Sequence, residues 1–201
     1  MEQKQIANLN IAMKDLEPYV KDPKFLTQGV RMTNFNMLVR ETWANILLCT
    51  VLRKITGHDY TFQEEESGDG VIFNNTDATS FGVEHVCAMD YPAGKQLPKG
   101  DARIIWAIDH KIARGADYAK GKALVVFFDG AEMFTRQNIR ENIYGRHGFK
   151  AIFIIGLLEV VDSKYSYLVT EFRDSFGDKS HSFRVDINKG FNDWTITQIM
   201  K

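Results

Sequence analysis

The sequence predicts an α/β domain in which a central mixed β-sheet is flanked by helices in three layers, and three observations predict it. Phe35, Leu38, Thr42, Trp43, Ile46, Leu47, Val51 and Leu52 recur at three- and four-residue spacing, the period of a helix with one face in a core. Three short extended segments follow, separated by Gly, Asn and Asp clusters that favour turns. Farther on, residues 123–128 and 150–155 are apolar almost without interruption. A strand with one wet face alternates, so continuous runs mark strands covered on both sides.

In chain order, residues 1–28 read as a peripheral helical extension whose loose stripe of Ile6, Leu9, Ile11, Met13 and Leu16 is broken by Pro18 and Pro23. Residues 29–201 read as a single domain. Thr33 is the expected N-cap of the long helix, and Gly57, free to turn left-handed, its end. Segments 60–63, 70–73 and 80–89 form the expected meander. Pro92, Gly94, Pro98 and Gly100 mark a loop. Asp101 is the expected cap of a second helix with the stripe Ile104, Ile105, Ile108 and Ile112, ending near 115–121. The strand at 123–128 leads through Asp129-Gly130 into a third helix, to about Tyr144, and then into the strand at 150–155. Alternation at 165–169 and 183–187 predicts a β-rich C-terminal extension, and beyond Lys189 strand and helix stay equally open.

At 201 residues the chain can bury a sizeable core, and its 44% hydrophobic and 25% charged content is ordinary for a globular protein. The longest apolar run, 151–158, falls far short of the roughly 20 residues a membrane-crossing helix needs. Met1-Glu2-Gln3-Lys4-Gln5 lacks the layout of a secretory signal, so a cytoplasmic protein with no membrane partner is expected. Cys49 and Cys87 lie in apolar stretches and read as small buried side chains, with no disulfide framework or zinc site. The net charge of −1 argues against chain-wide attraction to nucleic acid or anionic lipid. The charge is uneven, however: five acids and no base from Asp59 to Asp69, then seven bases against three acids from Lys95 to Lys122. That suits a metal site beside a phosphate-binding surface, and solvated faces of ordinary elements would account for it as well. Gly-rich phosphate cradles, His or Cys pairs at helical spacing and a Gly-x-Ser-x-Gly elbow do not occur, which disfavours those enzyme classes.

A turn centred between Thr76 and Asp77 pairs each residue of the second and third extended segments with its mirror image. Asp69 then falls against Glu84, with β-carbons roughly 5 Å apart. Two facing carboxylates repel unless a proton or a cation lies between them. A hard divalent ion such as Mg²⁺ needs only two or three carboxylates, and a water it acidifies could attack a phosphodiester.

Helix, three-strand meander, helix, strand is also the core order of the PD-(D/E)XK nuclease superfamily. The chain resembles it over about residues 30–130, extended to about 156 by the third helix and the strand after it. The resemblance implies a restriction-endonuclease-like αβββαβ core and a metal-dependent nuclease, with Mg²⁺ or Mn²⁺ as cofactor and nucleic acid, DNA or RNA, as partner. It implies that Asp69, in Ser67-Gly68-Asp69-Gly70, and Glu84, in Phe81-Gly82-Val83-Glu84-His85-Val86, hold the metal. Gly68 stands where Pro is usual, and Val86 where the catalytic lysine belongs. Members of the superfamily are known to move the lysine to the neighbouring helix. Lys111 is therefore the first candidate, three residues after Ile108, although its stem could equally pack on the core edge with the amine in water. Lys95 is a second candidate. Glu41, where the superfamily often has a supporting acid, either reaches the metal or pairs with a base at the surface. His85 points away from Glu84 and reads either as a histidine packed under a helix or as a general base. Arg103, Arg114, Arg136 and Arg140 could line a phosphate-binding face, or be solvated helix charges. Without the lysine at Val86, a catalytically inactive nuclease-fold binding or regulatory module is the alternative. Either form is compatible with a homodimer.

Overall fold

Among the described residues nine strands form one mixed sheet whose spatial order follows the chain: β1 (Gln5–Ile6), β2 (Tyr60–Gln63), β3 (Val71–Asn74), β4 (Thr79–Cys87), β5 (Ala123–Phe128), β6 (Ile152–Val161), β7 (Lys164–Phe172), β8 (His181–Ile187) and β9 (Trp194–Met200). The computed structural model describes residues 4–33, 35–65, 69–89, 96, 98–128, 133–177 and 179–200. Among them are six α-helices: α1 (Leu9–Val20), α2 (Lys24–Thr27), α3 (Val39–Thr56), α4 (Gly100–Ile112), α5 (Ala116–Ala119) and α6 (Arg136–Ile143). β4–β5 and β5–β6 pair in parallel and all other neighbours antiparallel. Parallel neighbours need crossovers, which α4 with α5 and then α6 supply.

β5 shows why an unbroken apolar run was needed. Ala123, Val125 and Phe127 enter one core, while Leu124, Val126 and Phe128 enter the other, and all six are at most 3% exposed. The first core takes Trp43, Ile46 and Leu47 from α3 and Leu9, Met13 and Leu16 from α1. The helix expected to be peripheral thus belongs to the main core. The second core is closed by Ile104 and Ile108 of α4 and Ile139 and Ile143 of α6. No helix among the described residues is long and apolar enough to cross a membrane.

Several element boundaries differ from expectation for identifiable reasons. α1 continues through Pro18 to Val20, because only one backbone hydrogen bond near its end is forfeited while buried Leu16 and Val20 hold the last turn. α3 begins at Val39 rather than after Thr33. A tight turn precedes it, with Met32 N–H donating to the Met37 carbonyl (3.0 Å) and Val39 N–H to that of Val30 (2.9 Å), so Phe35 is buried from a loop. Gly57 does end α3, left-handed at φ 75°. Asp101 lies inside the first turn of α4 and accepts from Thr135 N–H (2.6 Å) and Asn138 Nδ2 (2.7 Å), tying α4 to α6; the extended cap is Lys99. The strand expected to stop at Ile155 runs to Val161 against β7, and the undecided tail is β9. Asp129-Gly130 lies outside the described residues.

Candidate active site

The β3–β4 register is the expected one: Asn74 faces Thr79, Phe73 Ser80, Ile72 Phe81, and Val71 Gly82. The Asn74 side chain caps the turn by accepting from the amides of Thr76 and Asp77 (3.1 and 3.3 Å). The ladder extends as far as Val83 N–H on the Gly70 carbonyl (2.9 Å). Gly70 then takes φ 127°, a conformation open to glycine, and Asp69 leaves the ladder. Its Oδ2 accepts the His85 amide at 2.6 Å instead of facing Glu84 across a strand pair.

Glu84 and Asp69 nevertheless meet, through a third residue. Lys111, near the C-terminus of α4, brings Nζ to 3.3 Å from Glu84 Oε2 and 3.9 Å from Asp69 Oδ2. It lies three and four residues beyond the buried Ile108 and Ala107, which places it on the sheet-facing side. Val86, on the same face of β4 as Glu84, packs against the second core.

Two partners of Glu84 were not anticipated. Lys122, immediately before β5, places Nζ 2.6 Å from Glu84 Oε1. Its stem runs over Gly82, where a β-carbon would stand only 3.3 Å from Lys122 Cγ. Tyr118, on α5, donates its hydroxyl to Glu84 Oε2 and accepts from Lys111 Nζ (3.2 Å) and Arg114 Nη1 (2.8 Å). A glycine inside a strand is a signal of close approach, so Gly82 was the available clue to Lys122. Tyr118, in a short helix among glycines, had none.

These contacts set the charges. Burial pushes the Glu84 carboxyl up, but hydrogen bonds from Lys122 and Tyr118 and the charge of Lys111 outweigh it, so it is held below the usual range. Asp69 is raised, chiefly by burial and also by Glu84, against the opposing His85 amide and Lys111. Glu41 is raised by burial and then by the charge of Asp69. It accepts the Leu38 amide (2.9 Å) at the start of α3, and it lies within electrostatic reach of Asp69 rather than in a surface pair.

His85 faces the other side of β4, where Nε2 stands 2.9 Å from Asn45 Oδ1 of α3. Burial, followed by the charges of Lys111 and Arg40, lowers its pKa to about 3, so it is neutral at ordinary pH. Asn45 also reaches the Asp69 carbonyl through Nδ2 (3.4 Å). His85 and Asn45 therefore back the Asp69 bend from behind. A lone Asn on the buried side of an apolar helix was the sequence's pointer to such a partner.

Of the four arginines singled out, Arg103 donates to the Pro98 carbonyl (2.9 Å) and Arg136 to Ser180 (3.1 Å). Arg140, buried, donates to the Arg173 carbonyl (3.0 Å). Arg103 and Arg140 are buried in the fold, Arg136 is half-buried, and Arg114 stands exposed beside the site. Lys95 lies outside the described residues.

Asp69 and Glu84 offer only oxygen, the donor type a hard cation takes, although Glu84 Oε1 is engaged by Lys122 and Oε2 by Lys111 and Tyr118. Among the described residues no three His, Cys, Asp or Glu side chains cluster closely enough to hold an ion together. An ion here would rest on two carboxylates and water, a sparse protein shell of the kind Mg²⁺ accepts. Compared with protein-family models, with curated proteins and with solved structures, the chain matches none.

Proposed function

We propose that the chain is a metal-dependent, nuclease-like protein that hydrolyses phosphodiester bonds in nucleic acid. The observation that carries this reading is the meeting of Asp69 and Glu84 at the amine of Lys111, on elements in the order α3-β2-β3-β4-α4-β5. That order is the αβββαβ order of the restriction-endonuclease-like core. Asp69 and Glu84 would hold Mg²⁺ or Mn²⁺, with Glu41 as an outer acid. Such an ion, when bound, acidifies water and draws charge from phosphoryl oxygens. Lys111 holds the two carboxylates to one point and offers a positive charge where phosphoryl charge develops, the task Val86 cannot perform.

One observation favours a second reading, an inactive nuclease-fold module that binds or regulates. Both oxygens of Glu84 are engaged, Oε1 by Lys122 and Oε2 by Lys111 and Tyr118, which leaves it largely neutralised. The test is cleavage of single- and double-stranded DNA and RNA with Mg²⁺ or Mn²⁺. Cutting by wild type that is abolished in Asp69→Asn, Glu84→Gln and Lys111→Met establishes the enzyme. Retarded migration of nucleic acid, steeply salt-dependent and without cutting, establishes the module. Neither cutting nor binding removes both.

A further inference from the structure

We infer that Arg114 and Lys122, organised by Tyr118, form an oxyanion subsite that holds a phosphate group without a divalent ion. Three cations surround the ring of Tyr118: Arg114 Cζ at 4.6 Å from its centroid, Lys122 Nζ at 4.7 Å and Lys111 Nζ at 5.8 Å. Like charges gathered on one ring repel, and the ring face compensates only in part. The acids within their electrostatic reach are Glu84 and Asp69 and, for Lys122, Glu65 as well.

The donors these side chains leave unspent point to the ligand. Lys111 gives two of its three N–H donors, one to Glu84 and one to Tyr118, and is only 12% exposed. Lys122 is 31% exposed and, among the described residues, makes one side-chain hydrogen bond, to Glu84. Arg114 makes one, through Nη1 to the Tyr118 hydroxyl. An ammonium carries three N–H donors and a guanidinium five, so most donors of both residues are unspent. A phosphate group, with several acceptor oxygens and a preference for forked arginine contacts, meets that supply. Tyr118 is the positioning residue: its hydroxyl fixes Arg114, and Gly82 clears the path of the Lys122 stem. The subsite rests on the nuclease reading for the owner of the phosphate, a nucleic-acid backbone, and not for the binding itself.

The test is titration of the full chain in EDTA with inorganic phosphate and, separately, with a single-stranded oligodeoxynucleotide. Wild type binds both. Arg114→Met, at a fully exposed position that cannot disturb the core, and Lys122→Met each weaken phosphate by about tenfold. Lys122→Arg retains binding. Tyr118→Phe, which keeps the ring, weakens phosphate and makes a subsequent Arg114→Met change nearly silent, an outcome a merely structural tyrosine would not give. Arg114→Met also lowers the oligonucleotide salt slope by about one. Phosphate affinity that is absent in wild type, or that survives Arg114→Met and Lys122→Met, overturns the subsite. Cleavage with no such dependence leaves the nuclease reading standing and this one fallen, and arginine-dependent phosphate binding without metal-dependent cleavage does the reverse.

Discussion

Replacing Gly70 by alanine tests the bend that sets Asp69. At φ 127° an L residue is strained by about 1–3 kcal/mol. The new β-carbon would also stand 3.0 Å from Asn45 Nδ2, 3.3 Å from the Gln63 carbonyl and 3.3 Å from Met37 Cε. Asn45 is fully buried and tied to His85, so it cannot swing to solvent. Displacing it leaves a buried amide unpaired at roughly 1–3 kcal/mol. The expected loss is about 2–6 kcal/mol, a large share of the 5–15 kcal/mol typical of a domain. Urea unfolding followed by tryptophan fluorescence measures it. Gly82→Ala is the internal control, because its β-carbon meets only the flexible Lys122 stem, and it should cost less than about 1 kcal/mol. A Gly70→Ala loss below about 0.5 kcal/mol, or one equal to that of Gly82→Ala, would refute the reasoning.

The two acids should respond to neutralisation with opposite signs. Asp69 is raised, so its charged form costs stability at neutral pH, and Asp69→Asn should leave the protein as stable as wild type or more so. Glu84 is lowered: its contribution is present above the unfolded pKa and lost as pH falls through the folded one. Glu84→Gln should cost about 2–4 kcal/mol at pH 7, by leaving Lys111 poorly paired. Thermal melts of the two variants decide, and equal shifts in one direction would contradict the charge assignment. His85 predicts an acid sensitivity. Its folded pKa is about 3 against an ordinary 6.5, so the unfolded chain takes up the proton first and stability falls as pH drops below about 6.5. The slope approaches about 1.4 kcal/mol per pH unit, amounting to roughly 2.7 kcal/mol by pH 4.5. Subtracting the urea-derived profile of His85→Gln isolates it, and parallel profiles would show that His85 titrates normally.

The parts legible in the sequence were those set by short-range rules. The β3–β4 register followed from the position of the turn, and β5 from its unbroken apolar run. The position of Lys111 on the sheet side of α4 was legible from helical spacing, while its candidacy came from the family resemblance. What escaped depends on contacts distant in sequence. Lys122 reaches Glu84 only because β5 pairs parallel to β4 with Val83 beside Ala123, a pairing that no local pattern encodes. The start of α3 was misplaced because Phe35 is buried by a turn whose spacing imitates a helix. Asp69 was placed opposite Glu84 by continuing a ladder that Gly70 ends one residue earlier.

The sheet's strand order, identical to chain order, has a consequence for how the molecule comes into being. Each strand emerging during synthesis finds its partner already made, and none must be threaded between two that have paired, so the cost of closing long loops is met in small steps. Asp69, Glu84, Lys111, Tyr118 and Lys122 have all been synthesised by the time β5 appears. At that moment, however, β5 is a bare edge of six apolar residues awaiting β6, the arrangement most prone to pair with another chain. The nascent protein therefore holds its complete candidate site before it holds a protected sheet, and β6 and the strands after it guard an assembly to which they contribute none of those five side chains.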